Sequence, residues 1–391
     1  DKERARLHAL MEKLIIWENS NDEKLLEQAR EEIRKSNDGK LPAVVDPFAG
    51  GGSIPLEAQR LGLESHASDL NPLAVLINKA LIEIPPKFAG WSPVFPGIAE
   101  EQSSWLRAEG LAADVQHYGQ WLRDEAEKRI GHLYPKVTAP GGTEHTVIAW
   151  KWARTVISPN PANPIETPLV NSWWLSKKKG KEAYVQPVIE GNHIRYEVRQ
   201  GKGAPDAPKT GRGQFHCICC GTPVSSDHIK QEGQSGKIGR DLIAIVAEGD
   251  GGRLYLSPDA MQIEFANCPP PEWAPEGEMF GKAADQLPLY GYKNFSQLFT
   301  NRQLTALTTF SDLIAEARQL AEADARAAFC GAEAADETPL AEGGRGPRAY
   351  GEAIAVYLAF AVDKMADRNS SFCSWDSSRD GIRNLFGRQA I

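Results

Sequence analysis

The run Asp46-Pro47-Phe48-Ala49-Gly50-Gly51-Gly52 follows a short apolar stretch, residues 41–45, and opens a helical stretch, residues 53–61. Seventeen residues after Gly52 stands Asp69, within Ser68-Asp69-Leu70-Asn71-Pro72. Strand, glycine loop, helix, strand and acid in that order form a unit suited to an adenosine-containing ligand. Three consecutive glycines let the backbone approach a ligand closely, because no Cβ intervenes. The helix behind them offers unpaired N–H groups and a positive dipole end, which favour an anionic group. An acid ending the second strand suits the two hydroxyls of a ribose.

The loop itself narrows the ligand. A dinucleotide fingerprint requires glycine at the sixth position counted from Gly50, where Pro55 stands. A P-loop requires Gly-Lys-Ser/Thr after the turn, and none occurs. What remains is an acid before the turn, small residues in it, and an acid on the next strand. That pattern suits S-adenosylmethionine, which carries an ammonium, a carboxylate and a ribose. The candidate cofactor residues are Asp46, Pro47, Phe48, Ala49, Gly50, Gly51, Gly52, Asp69 and Asn71. A glycine-rich turn that only packs helix on strand would share the triplet, but not Asp46 and Asp69 at this spacing.

The rest of the 391 residues bounds the problem. The length allows two or three domains. No run of 18 apolar residues occurs, so nothing reads as a membrane span, and the charged start Asp1-Lys2-Glu3-Arg4 is no signal peptide. Six cysteines, three of them at 217, 219 and 220, do not read as a secreted disulfide framework, so the default location is cytoplasmic. Net charge is −8, yet residues 145–240 hold 14 Lys and Arg against 7 Asp and Glu. This +7 segment on a −15 remainder is the pattern of a phosphate-contacting insert, although a solvated Lys-rich hairpin would also give it.

Periodicity predicts two helices, over 1–19 and 22–36, divided at Asn19-Ser20-Asn21-Asp22. A β-α-β-α unit spans 41–84 and ends at Pro85-Pro86. Residues 99–130 read as helical, with Leu106, Val115, Trp121, Leu122 and Ile130 as core candidates. Short β runs follow at 146–152, 184–189, 194–198, 242–247 and 254–256. Residues 200–213 read as a flexible basic loop, 295–328 and 350–368 as helices, and 331–348 as an Ala/Glu/Gly-rich mobile stretch. The expected organisation is 1–136, N-terminal helices and the start of the core; 137–268, a β-rich basic insert; and 269–391, a helical return to the core.

Several runs together resemble the bacterial adenine-specific DNA methylases that carry a zinc-ribbon domain. They are Asp46–Gly52, Ser68–Pro72, Trp17-Glu18-Asn19-Ser20, Trp173-Trp174-Leu175-Ser176-Lys177-Lys178 and Cys217–Cys220. The first two are generic to S-adenosylmethionine enzymes; the tryptophan–lysine run is narrower. The resemblance implies an α/β, Rossmann-like S-adenosylmethionine-dependent methyltransferase core with a zinc-ribbon-like β-rich insert. It implies methyl transfer to N6 of adenine in DNA, with DNA as partner.

Two departures stand out. The family's Asp/Asn-Pro-Pro-Tyr tetrapeptide is missing; the nearest runs are Ile84-Pro85-Pro86-Lys87 and Cys268-Pro269-Pro270-Pro271. No catalytic residue is therefore assigned. The chain reads as a piece of such an enzyme or a truncated homologue, with the remainder of the enzyme or other DNA-modification subunits as further partners. A ribbon also needs four soft ligands. Cys217 and Cys220 supply one knuckle, while Ser158 and Asn163 stand in the stretch where the resemblance places the other. The expected state is a degenerate ribbon without metal. The candidate nucleic-acid residues are Trp174, Lys177, Lys178, Lys179, Lys181 and Arg212. A non-catalytic DNA-binding or regulatory subunit, or a methyltransferase for a non-DNA substrate, are the alternatives.

Overall fold

The computed structural model describes residues 2–97, 105–139 and 141–385. Its chain divides into two compact units, Asp1–Trp121 with Ile314–Ala359, and Leu122–Leu313 with Phe360–Ala390. Helices and strands are mixed, in keeping with an α/β chain. No helix among the described residues is long and apolar enough to cross a membrane.

The first unit begins with α1 (Lys2–Leu14), a single 3-10 turn at Trp17–Asn19, and α2 (Glu23–Ser36). The expected helix over 1–19 thus stops early. Asp22 caps α2, its carboxylate accepting from the N–H groups of Lys24 and Leu25. The Leu25, Leu26 and Ala29 face of α2 is buried. β1 (Val44–Asp46), α3 (Ser53–Arg60) and β2 (Ser65–Ala67) follow, then α4 (Pro72–Asn78). β1 and β2 pair in parallel, Val44 beside Ser65 and Asp46 beside Ala67. Arg60 ties α3 back to the N-terminal turn by donating to the Leu14 and Ser20 carbonyls.

Pro85-Pro86 does not end the helical path as expected. Residues 79–83 widen into a π-helical segment and Ile84–Lys87 form one more α turn. The prolines lack the N–H groups that would serve the carbonyls one turn back. Side chains answer instead: Tyr357 donates to the Ala80 carbonyl at 2.7 Å, and Gln59 to that of Ile82 at 3.0 Å. A π segment with inserted side-chain donors is a way of carrying a helix through proline.

α5 (Glu109–Ile130), α6 (Asn301–Ala328) and α7 (Pro347–Ala366) are the long helices. Leu122 and Ile130 are buried as expected, but Leu106 lies before α5 and is 67% exposed. Positions 99–104 of that predicted helix lie outside the described residues. In the first unit the Asp114 carboxylate is fully buried and accepts from the Val94 and Phe95 N–H groups and the Tyr350 hydroxyl. Burial nevertheless pushes its carboxyl above the ordinary value. The stretch 331–348 closes around Asp336, which accepts from the N–H groups of Thr338, Arg345 and Gly346. Gly346 is required there, since a Cβ would lie 1.9 Å from the Asp336 carbonyl. Composition suggests mobility because it does not reveal one carboxylate gathering the amides of Thr338, Arg345 and Gly346.

The second unit is β-rich. β3 (Val147–Ile157), β4 (Glu166–Pro168), β5 (Trp174–Ser176), β6 (Ala183–Glu190), β7 (His193–Gln200), β8 (Lys209–Gly211), β9 (Gln214–His216), β10 (Pro223–Val224), β11 (Gly239–Gly249) and β12 (Gly252–Leu256) form three antiparallel sheets. Their orders are β12-β11-β3-β4, β5-β6-β7 and β8-β9-β10. Four of the five predicted β runs lie inside these strands, and the fifth, 146–152, enters β3 at Val147. The sheets share a core of Trp173, Leu175, Val185, Ile194, Tyr196, Cys217 and Ile243. Each large apolar side chain so buried contributes about 1.5–3 kcal/mol. Sequence reading missed the helix Ser226–Gln234, capped by Ser225, and the short strands β8 and β9 within and beyond the 200–213 loop.

Candidate functional site

Asp46 ends β1, and its carboxylate accepts from the Phe48 N–H at 3.1 Å, turning the chain out of the strand. Gly50 and Gly52 have φ of +50° and +79°, left-handed values that glycine adopts without strain. Gly52 is the N-cap of α3 and has no side chain with which to cap it. The N-terminal end of α3 therefore faces the loop without a capping group from its own N-cap residue.

Asp69 clips the loop from the other strand. Its carboxylate accepts from the Gly50 N–H at 2.8 Å and from the Asn71 N–H at 2.8 Å. These bonds, Asn71 first and Gly50 second, hold its carboxyl below the ordinary value. Asn71 is the N-cap of α4, its side chain accepting from the Leu73 N–H. Ala49 is buried, whereas Phe48 and Leu70 are 80% and 96% exposed on either side of the clip. Pro47 and Gly51 are also exposed. The structure thus brings Asp46, the glycine loop and Asp69 together.

Asn78 was not singled out by sequence. It is 8% exposed, and its amide donates to the carbonyls of Gly50 and Ala74 at 3.0 and 2.8 Å. Its Oδ1 has no partner among the described residues, and a Cβ at Gly52 would lie 2.6 Å from it. Gly52 is thus fixed twice, by φ and by space. The available signal was a lone amide at the end of the apolar run Leu73-Ala74-Val75-Leu76-Ile77. Asn78, Ala49, Ser65, His66, Ser68 and Asp69 help to line a cleft of about 460 Å³. Ser65 Oγ is a second buried polar atom there without a partner among the described residues. Buried polar atoms without partners are unusual and costly, so a cleft that holds two is chemically unfinished. A larger cleft, about 660 Å³, lies among residues 271–278 with Asn294 and Ser296, and none of the predicted site residues lines it.

Of the paired tryptophans, Trp173 is core and donates to the Asp206 carbonyl. Trp174 is partly buried, edge-on to Tyr184, with Lys177 Nζ 5.9 Å from its ring centroid. Lys178 pairs with buried Asp380 at 3.0 Å, and Lys181 donates to the Gly251 carbonyl at 2.6 Å. Lys179 and Arg212 are exposed.

At the cysteines, Cys217 is buried in the core. The Cys220 thiol donates to Thr222 Oγ1 at 3.2 Å and lies 3.7 Å from Ser158 Oγ. The Thr222 hydroxyl, foremost, pushes the Cys220 thiol down to about 6, while burial pushes Cys219 up to about 11. Ser158 therefore does stand beside the cysteine knuckle. His228, a possible substitute ligand, is engaged with the Ile157 carbonyl. Among the described residues no group of three or more His, Cys, Asp and Glu is arranged to hold a metal ion. Of the near-miss prolyl runs, Ile84–Lys87 is the helical turn described above, with Ile84 buried.

Residues 21–94 match the family of D12 class N6 adenine-specific DNA methyltransferases. The matched segment holds α2, the glycine loop, the Asp69 clip, α4 and both prolines, and it supports a methyltransferase of the adenine-specific DNA class. No curated protein and no solved structure matches the chain.

Proposed function

We propose that this chain carries the cofactor-binding part of an S-adenosylmethionine-dependent DNA methyltransferase acting on adenine N6. The observation that carries the reading is the clip from Asp69 to Gly50 beside the uncapped start of α3, inside the segment that matches the family. The residues fit the cofactor chemically. Asp46 offers a carboxylate to an ammonium, the α3 start offers N–H groups to a carboxylate, and Asp69 keeps lone pairs for ribose hydroxyls. Phe48 and Leu70 leave apolar surface that an adenine ring would cover. Ser65 Oγ and Asn78 Oδ1 would gain partners from a polar ligand or its water.

When bound, S-adenosylmethionine supplies an electrophilic sulfonium methyl group. The chain's own residues would bind and orient it and exclude water from the Asp69 side. No residue of this chain is assigned to hold the adenine amino group, and we expect binding without transfer from the chain by itself. The Rossmann-like core, the three-part organisation at 136 and 268, and the degenerate zinc ribbon belong to this same reading. For the ribbon, the support is Ser158 lying against Cys220.

Titration calorimetry with S-adenosylmethionine tests it. Asp69→Ala should weaken binding about ten-fold or more, and Asp69→Asn, which keeps one acceptor, by less. Equal affinities for all three proteins, with unchanged thermal melts, would remove Asp69 from the site.

A further inference from the structure

Every second residue of β3 from Trp150, namely Trp152 and Arg154, points to one face of its sheet. Three guanidinium groups lie over aromatic rings on that face. Arg302 sits 4.0 Å from the Trp150 ring centroid and 5.3 Å from that of Tyr134. Arg240 sits 5.5 Å from Trp152, and Arg154 sits 3.9 Å from Phe372 and 5.4 Å from Tyr292. Arg240 of β11 is the direct cross-strand partner of Arg154. Like charges directly opposite on a sheet repel, and a carboxylate between them would offset that repulsion.

None is there. No ion pair joins Arg154, Arg240 or Arg302 to an acid among the described residues, although Arg302 is only 6% exposed and donates just to the Leu133 carbonyl at 3.3 Å. Neighbouring carboxylates turn the other way. Asp241, next to Arg240, accepts from Tyr196, and Glu166 of β4 accepts from Thr155. Burial lowers Arg154 and Arg302 from the ordinary arginine value, and Arg240 adds repulsion at Arg302. Stacking on rings fixes guanidinium planes without neutralising them and leaves their in-plane N–H donors free. Fixed, partly desolvated, unneutralised guanidinium groups match the oxygens of phosphates.

We propose that Arg240 and its cross-strand partner Arg154, on the Trp150–Trp152–Arg154 face of β3, bind the phosphodiester backbone of DNA, while buried Arg302 holds the Trp150 ring in place. The choice of DNA rests on the functional reading above; the choice of a polyanion rests on this face alone. The site is separate from the lysine run 177–181, two of whose four lysines are already engaged by Asp380 and Gly251.

The test is fluorescence anisotropy of a labelled adenine-containing duplex across a salt series. The wild-type chain is compared with Arg240→Gln, the double Arg154→Gln/Arg240→Gln, and Lys178→Gln, whose cation is already matched by Asp380. Each arginine lost should lower the slope of log affinity against log salt by about one and weaken binding about ten-fold, while Lys178→Gln changes neither appreciably. Arg240 is exposed, so its single variant should keep the fold, which thermal melts verify. An unchanged slope and affinity in Arg240→Gln and in the double would overturn the proposal, as would absence of DNA binding by the wild-type chain. Tighter, arginine-dependent binding of the matching RNA would overturn the choice of DNA. Calorimetry with S-adenosylmethionine on the same proteins separates the two readings. Cofactor binding without arginine-dependent DNA binding sinks only this inference; the reverse sinks only the cofactor assignment.

Discussion

The lysine run 177–181 and the arginine face of β3 lie in the same β-rich unit, and their charges meet different fates. The lysines are close in sequence, yet Lys178 is neutralised by Asp380, and Lys181 is tied, with its charge kept, to a carbonyl of the 251 turn. The arginines are scattered at 154, 240 and 302, and the fold gathers them on rings with no acid opposite among the described residues. A run of charge along the chain is therefore a poor measure of charge available to a ligand. What matters is whether the fold supplies a counter-charge, since a matched pair presents little field to a partner. β3 makes the contrast sharper still. On its other face, Lys151 is directed to the Trp174 carbonyl at 3.3 Å, and burial pushes it down to about 8.

Reversal at Arg240 is the hardest test of that contrast. Arg240→Glu would set a carboxylate opposite Arg154 and supply the missing counter-charge within the sheet. DNA affinity should fall about a hundred-fold, with thermal stability unchanged or raised. A variant that binds as well as wild type would erase the distinction between the two regions.

Lys151→Met should come next in size. Between pH 8 and the ordinary 10.5, the unfolded chain holds a proton that the folded chain has released. Stability should therefore rise with pH across that window, and the burial penalty should be in force below it. Replacing the ammonium by an apolar side chain should stabilise the chain by about 1–3 kcal/mol at pH 7 and remove the rise above pH 8. Urea denaturation at pH 7 and pH 10 measures both effects.

Lys178→Gln leaves Asp380 buried without its cation. A loss of about 1 kcal/mol in folding stability is expected, with no change in the salt slope of DNA binding, because that charge already serves the fold. Lys179→Gln should do least, within about 0.5 kcal/mol in stability and without effect on the slope. A slope lowered by one in Lys179→Gln would return the lysine hairpin to the interface.

The legible parts of the molecule share a physical character. The glycine loop, the helix break at Asn19-Ser20-Asn21-Asp22 and the β runs depend on neighbours within a few residues, so turn chemistry and periodicity expose them. Trp173 and Trp174 fall where alternation along a strand divides them, one in the core and one at its edge. The misses are places where a distant group decides. Pro85-Pro86 stays helical because Tyr357 and Gln59 answer two freed carbonyls. Leu106 is exposed because α5 begins only at Glu109. The 331–348 loop is closed by Asp336, a single carboxylate within a composition that otherwise suggests disorder.

The sequence by itself determined the strand–loop–helix–strand unit and the acid after it, because backbone freedom at Gly50 and Gly52 and the spacing to Asp69 are local properties. Only the tertiary structure decided that Asn78 underpins that loop and that Arg154, Arg240 and Arg302 stack on neighbouring rings with no counter-charge among the described residues. Those relations are set by which side chains meet across strands and helices far apart in the chain. Burial fixes their energy there, and composition does not record it.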